Sequence, residues 1–230
     1  GGSGGSGGAG GSGGGSGGAG GGGLNLCPDD AKTVYVVDRD KTFSAFDPKT
    51  KVFRDIGLLL CPAASLAEPF SMAIDRTPTA WVLYDSGELF KVNVTTLACT
   101  KTAFNANAGH GFGQFGMGFS TDQVGGSSDT LFISGAQAVN PVSTLAKLDV
   151  GTLAPAPLGT VNGWPELTGT GDAKLWGFFP SNGASAPLVA QIDKTNAINR
   201  ERTLAADEVT QLKGTIQHLR DQLDSTRHSA

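Results

Sequence analysis

Residues 70–93, FSMAIDRTPTAWVLYDSGELFKVN, decide the fold of this 230-residue chain. Phe70–Asp75 alternates apolar and polar positions and runs into a turn signal, Arg76-Thr77-Pro78-Thr79. Ala80–Tyr84 is a continuous apolar run. Asp85-Ser86-Gly87 supplies residues that tolerate positive φ, and Glu88–Asn93 alternates again. The stretch reads as three short strands joined by two tight turns.

The same unit recurs on both sides. Upstream, Val34–Asp38, Thr42–Asp47 and Val52–Gly57 have strand character. Downstream, Ala98–Phe104 completes the unit that begins at Phe70. A third unit runs through Phe115–Ser120, Thr130–Ser134, Thr144–Val150 and Leu153–Thr160, and a fourth through Glu166–Thr170, Lys174–Phe179 and Leu188–Asp193. Four strand ends superpose: FSAFD-PKT, LFKVN-VTT, LAKLD-VGT and VAQID-KTN. Their acid or amide falls at Asp47, Asn93, Asp149 and Asp193, which are 46, 56 and 44 residues apart. Such a side chain bonds the backbone two residues on and so starts the turn to the next strand.

A period of about 45 residues with four strands in each period is the signature of a β-propeller. The glycine-rich first strands FGMGFS and LTGTG suit the crowded position nearest the axis, where backbones approach closely. The expected fold is therefore all-β: a partial β-propeller of about four blades of antiparallel strands over residues 24–198. Its first blade lacks an innermost strand and its last has three strands, so the propeller reads as incomplete. A closed four-bladed ring is the competing architecture.

The two ends are different material. Residues 1–23 contain only Gly, Ser and Ala, which bury too little apolar area to order the chain, so they read as a flexible linker. Its root-mean-square span is roughly 25–30 Å. Residues 199–230 read as an amphipathic, coiled-coil-like helix. Val209, Leu212, Ile216, Leu219 and Leu223 step by 3, 4, 3 and 4. Thr203 is placed to cap it, and Arg227 and His228 suit its C-terminus. The stripe serves self-association, or it covers the open edge of the propeller, or it is an appendage. No basic n-region or apolar h-region is present, as expected of a mature or truncated product, and no apolar run approaches the length of a membrane span.

Charge narrows the function classes. The formal net charge is −4; residues 24–199 hold twelve Lys or Arg against sixteen Asp or Glu. A mildly acidic domain with no basic stripe argues against nucleic acid and anionic membranes as partners. Cys27, Cys61 and Cys99 have no CxxC spacing, which argues against a zinc or thioredoxin-like site. Cys61 and Cys99 follow comparable strands of adjacent repeats, so they are either a disulfide on the outer edge or two buried thiols, with Cys27 left unpaired.

The phrasing FSMAID…AWVLYDSGELFKV…C and FGMGF…TLFIS resembles secreted or lipoprotein-anchored β-propeller proteins of Gram-negative bacteria, over roughly residues 27–196. More loosely it is similar to YVTN and gluconolactonase-like propellers. The resemblance implies an extracytoplasmic location, at the periplasm or outer-membrane surface. A gluconolactonase-like site implies acidic residues converging on a divalent cation such as calcium, and Asp75 and Asp172 end first strands at one end of the fold. Asp122 is a further candidate in that class, although each Asp is equally explained as a turn former.

His110, in the loop before a first strand, has no Asp or Ser partner in register and reads as a surface residue rather than a general base. The glycine pattern Gly111, Gly113, Gly116, Gly118 precedes a strand, so it holds no phosphate. Asn93-Val94-Thr95 is a formal sequon explained by the repeated turn. Trp81 and Trp176 read as inter-blade core, Met72 and Met117 likewise, whereas Trp164 in Asn162-Gly163-Trp164-Pro165 reads as exposed. The expected function is a non-enzymatic binding or scaffold module with a protein or glycan ligand, Asp75, His110, Trp164 and Asp172 as its candidate ligand-binding residues, and no cofactor. The alternatives are a metal-dependent lactonase- or lyase-like enzyme using Asp75 and Asp172, and a fragment without independent function.

Overall fold

The structure, a computed structural model, describes residues 33–135, 142–180, 187–197 and 199–200. The linker 1–23, Cys27 and the stripe Val209, Leu212, Ile216, Leu219 and Leu223 lie outside the described residues. Among the described residues fifteen strands form four antiparallel sheets, each taken up in chain order. Sheet one holds β1 (Val34–Val37), β2 (Thr42–Asp47) and β3 (Val52–Leu58). Sheet two holds β4 (Pro69–Ile74), β5 (Thr79–Tyr84), β6 (Leu89–Asn93) and β7 (Cys99–Lys101). Sheet three holds β8 (Phe115–Thr121), β9 (Asp129–Gly135), β10 (Val142–Leu148) and β11 (Pro155–Asn162). Sheet four holds β12 (Glu166–Gly169), β13 (Leu175–Phe179), β14 (Leu188–Ile192) and β15 (Asn199–Arg200). These are four successive propeller blades, and none of the described residues is helical.

One count differs from the sequence reading. The last blade has a fourth strand, because Asn199 and Arg200 pair with Ile192 and Gln191. Two residues carry no alternation, so nothing in the pattern marks them as a strand.

The repeated strand end is a five-residue turn. In each blade the carbonyl of the Asp or Asn accepts the N–H four residues on: Lys51 from Asp47, Leu97 from Asn93, Leu153 from Asp149 and Ala197 from Asp193. The side-chain oxygen accepts the N–H two residues on, at 2.8 Å from Lys49, 3.0 Å from Thr95, 2.9 Å from Gly151 and 2.8 Å from Thr195. Closing this turn drives the fifth residue into the left-handed region. Lys51, Leu97, Leu153 and Ala197 have φ of 60°, 57°, 60° and 62°. The bonds given by the Lys49 backbone and by the hydroxyl and backbone of Thr50 hold the Asp47 carboxyl below its ordinary range, and those from Thr152 and Gly151 do the same for Asp149.

Blades pack face to face. Strand β5 is buried on both sides: Trp81 and Leu83 join Met117, Leu131 and Ile133 of blade three, while Ala80, Val82 and Tyr84 join Phe43 and Leu59 from the first blade and its exit. A third cluster, with Phe132, Leu145, Val161, Leu167, Leu175 and Ile192, joins blades three and four. None of the three clusters includes residues of both the first and the fourth blade. Nearest the axis, β8 approaches β12 so closely that no side chain fits at its glycines. A Cβ on Gly118 would sit 2.8 Å from the Leu167 carbonyl, and one on Gly116 or Gly169 would land on the backbone of Pro165 or Phe119. Cys61, after β3, is disulfide-bonded to Cys99 at the start of β7, with Cα atoms 5.2 Å apart, which fastens the three-stranded blade to its neighbour.

The bridge closes a loop of 38 residues. Its loss, in Cys61→Ser with Cys99→Ser or under reductant, is expected to cost roughly 4 kcal/mol in the chain-entropy account; thermal melts with and without reductant measure it, and an unchanged melt refutes it. Lys51 is exposed and strained, so Lys51→Gly is expected to gain up to about 1 kcal/mol. Leu97→Gly is expected to lose stability, since Leu97 packs on the core between blades one and two.

Candidate functional site

Strands alternate in direction, so the loops segregate to two ends. One end carries the turns 75–78, 122–128 and 170–173; the other carries the hairpin 85–88, the inter-blade loop 102–114 and residues 163–165.

At the first end the predicted carboxylates serve their own turns. Asp75 Oδ1 accepts the N–H groups of Thr77 and Thr79 at 2.8 and 3.0 Å and the Thr77 hydroxyl at 2.7 Å. Its Oδ2 accepts the Trp81 indole N–H at 3.1 Å. Asp172 pairs with Lys174 at 2.6 Å and accepts the Thr170 hydroxyl, and these two partners pull its carboxyl below the ordinary range. Asp75 and residues 169–171 do border one cleft, of about 160 Å³. What occupies its wall is an ion pair absent from the sequence reading. Arg76 of blade two forks onto Asp129 of blade three, with Nε and an NH2 nitrogen each 2.7 Å from a carboxylate oxygen, and also reaches Thr121 at 3.0 Å.

Lys194 of blade four donates to the Thr121 carbonyl at 2.7 Å. Burial pushes the Lys194 ammonium down, against the attraction of Asp122 and Asp129. Burial works against the charge on Asp122 as well, but the hydroxyls of Thr130 and Ser128 and the Lys194 and Lys147 charges outweigh it and leave that carboxyl low. Every charge here has a charged or hydroxyl partner, the chemistry of an inter-blade clamp. Among the described residues no three His, Cys, Asp or Glu side chains group as metal ligands.

The second end is built differently. His110 is tied into its loop through both nitrogens: Nε2 lies 2.8 Å from the Asn105 carbonyl, and Nδ1 accepts the Phe112 N–H at 3.1 Å. These partners set the tautomer, with the proton on Nε2. Its ring lies 5.4 Å from Phe104 and 6.0 Å from Phe112, which pack on Phe115. His110 therefore braces its own loop. Hairpin 85–88 leans on the same loop. Gly87 sits at φ 79°, a Cβ there would lie 2.6 Å from the Ala106 Cβ, and the Gln114 amide donates to the Asp85 carbonyl at 3.0 Å. Glu88 staples the hairpin from behind, accepting from Ala64 N at 2.6 Å, the Ser86 hydroxyl at 2.8 Å and Lys101 at 2.5 Å.

Between these walls lies an open groove of about 430 Å³ whose lining includes Asp85, Ser86, Asn107, Gln114 and Trp164. Trp164 is 41% exposed, whereas Trp81 is 2% exposed and Trp176 is half-buried.

A third feature sits on the axis, and sequence reasoning missed it. The Met117 N–H donates to Ser71 Oγ at 3.1 Å, and Ser71 Oγ donates to Glu166 Oε2 at 2.8 Å. The innermost strands of blades two, three and four thus meet in one relay. Glu166 is an exposed residue, but its Oε2 lies over Gly116, and burial of the carboxyl raises its pKa against the bond from Ser71. The available signal was a lone charged residue in a first strand.

No family model matches the chain, and no curated protein matches it. Among solved structures, it is similar to the TolB crystal structure from Acinetobacter baumannii at 13% identity and a TM-score of 0.45, over 74% of this chain and 40% of that one. It is similar to a chain of the mitotic checkpoint complex at 12% identity and a TM-score of 0.42, over 74% of this chain and 47% of that one. A third likeness is to the extracellular domain of a hybrid two-component system from B. thetaiotaomicron, at 14% identity and a TM-score of 0.39, over 71% of this chain and 19% of that one. The chain spans less than half the length of each of these structures.

Two carboxyls give opposite pH limbs. Lys101 first, then Ala64 and Ser86, lower the Glu88 pKa to about 2. Its contribution to stability is whole above the unfolded value of 4.5 and is lost as pH falls toward 2. Glu88→Gln is expected to flatten that acid limb in melts run between these pH values. The Glu166 pKa is raised, so its stabilising form is the protonated one, and that contribution is lost as pH rises through the folded value. Glu166→Gln, which still accepts from Ser71, is expected to raise the melting temperature at neutral pH and leave it nearly unchanged in acid.

Proposed function

We propose that this chain is a non-enzymatic, extracytoplasmic propeller module that binds its ligand at the Trp164 end. The observation that carries the reading is the groove between hairpin 85–88 and loop 102–114. Its walls are held by His110, Gln114 and Glu88, yet the Asn107 side-chain amide and the Trp164 ring make no bond among the described residues. A rigid concave surface with uncommitted polar and aromatic groups is what a binding site needs before its ligand arrives. The Asp75 end offers the reverse, carboxylates already satisfied by their neighbours. The Cys61–Cys99 disulfide supports an oxidising compartment. No described helix is long and apolar enough to cross a membrane.

The test immobilises the full chain and passes over it a Gram-negative envelope preparation of outer membrane and peptidoglycan. Native protein is expected to retain envelope material, and Asn107→Arg, which crowds the groove from an exposed position, is expected to lose it. Asp172→Ala at the far end is expected to retain as native. Retention lost in Asp172→Ala and kept in Asn107→Arg, or calcium-dependent lactone hydrolysis by the native chain, overturns the reading in favour of the enzyme.

A further inference from the structure

We infer that the groove at the Trp164 end takes a neutral hexopyranose oligosaccharide, seated on the Trp164 ring; the inference rests on the binding-module reading above. Three observations on the groove point to this class. The first is charge. Among the groove-lining residues Asp85 is the one ionisable side chain, and none is cationic, so phosphate, sulfate or uronate groups find no counter-charge. One Asp85 oxygen is already used, accepting the Glu68 N–H at 3.0 Å, which leaves the other to accept from a hydroxyl.

The second is the pairing of an apolar platform with acceptors and donors in a shallow setting. A pyranose ring presents a C–H face that packs on an indole and a rim of hydroxyls that need both donors and acceptors. Trp164 supplies the face, and its neighbour Pro165 restrains the backbone that carries it. Asn107 supplies an amide with donor and acceptor, Gln114 keeps its carbonyl oxygen after its N–H is spent on Asp85, and Ser86 supplies a hydroxyl. Gly111 and Gly113 keep the intervening surface low, so a flat ring can approach the backbone.

The third is size. A groove of about 430 Å³ matches a small-molecule or short oligomer site. Protein partners bury roughly 800 Å² on each side and anchor aromatic or aliphatic side chains in apolar pockets. Here Ala106 is the one aliphatic side chain on the groove wall. The groove is open to solvent, which leaves room for a chain of sugar units rather than a single one.

Maltohexaose, cellohexaose and chitohexaose, titrated into the full-length protein to about 10 mM, test the inference by tryptophan emission. Emission reports the groove, because Trp164 is the most exposed of the three tryptophans. At least one hexamer is expected to shift the spectrum saturably. Trp164→Ala is expected to weaken that binding about tenfold, read by calorimetry, and Trp164→Phe to restore most of it. Both variants are expected to melt as native, since the side chain is exposed. No response to any hexamer, or a response that Trp164→Ala leaves intact, overturns the inference. If envelope material is still lost in Asn107→Arg when no hexamer binds, the binding-module reading stands and the saccharide inference alone falls.

Discussion

The structure depends on one steric constraint, the approach of β8 to β12 with backbone against backbone. Blades converge toward the axis, and at three glycine positions the space available to a side chain between β8 and β12 falls to nothing. Gly116, Gly118 and Gly169 meet that demand by having no Cβ; an alanine at any of them would drive its methyl into the backbone of the neighbouring strand. Everything outward follows from this inner contact. Once the first strands are locked, the second and third strands of adjacent blades face each other at the distance that lets Trp81, Leu89 and Leu131 fill one interface and Phe132, Leu145 and Leu175 the next.

Much of this order is legible in the sequence because it repeats. The side-chain oxygens of Asp47, Asn93, Asp149 and Asp193 cap their turns as their spacing implied, and the three strands read within residues 70–93 correspond to β4, β5 and β6. The positive φ at Lys51, Leu97, Leu153 and Ala197 was not legible, since none of these residues is the Gly, Asn or Asp that advertises such a backbone. The turn forces that conformation on whatever residue follows. The same logic explains the two-residue β15, which is a consequence of pairing along β14 and not of its own composition.

The site was legible in parts and for different reasons. An exposed Trp164 follows from its place between Gly163 and Pro165, in a loop. The partners of Asp75 and Asp172 do not follow from the chain order, since a turn former and a metal ligand use the same residue type. Only the distances separate them, and here the nearest groups are N–H donors, hydroxyls and a lysine. Arg76–Asp129 and Ser71–Glu166 join residues 53 and 95 positions apart, a range over which a single sequence carries no pairing signal. His110 stands between these cases. Its place in the loop before a first strand was readable, while its bonds to Asn105 and Phe112 were not.

The hydrogen bond from Ser71 to Glu166 has a consequence for how the molecule comes apart. Repeat proteins behave as chains of nearest neighbours, able to fray one unit at a time from either end. Here the fourth blade is tied across the axis to the second, through an oxygen that also holds the third. Peeling the last blade away therefore disturbs two others, and adding it during folding waits on both being in place. Such a tie converts a linear array into a closed mechanical unit at its centre. It does so at the cost of contacts between residues far apart in the chain, which form late and slow the search.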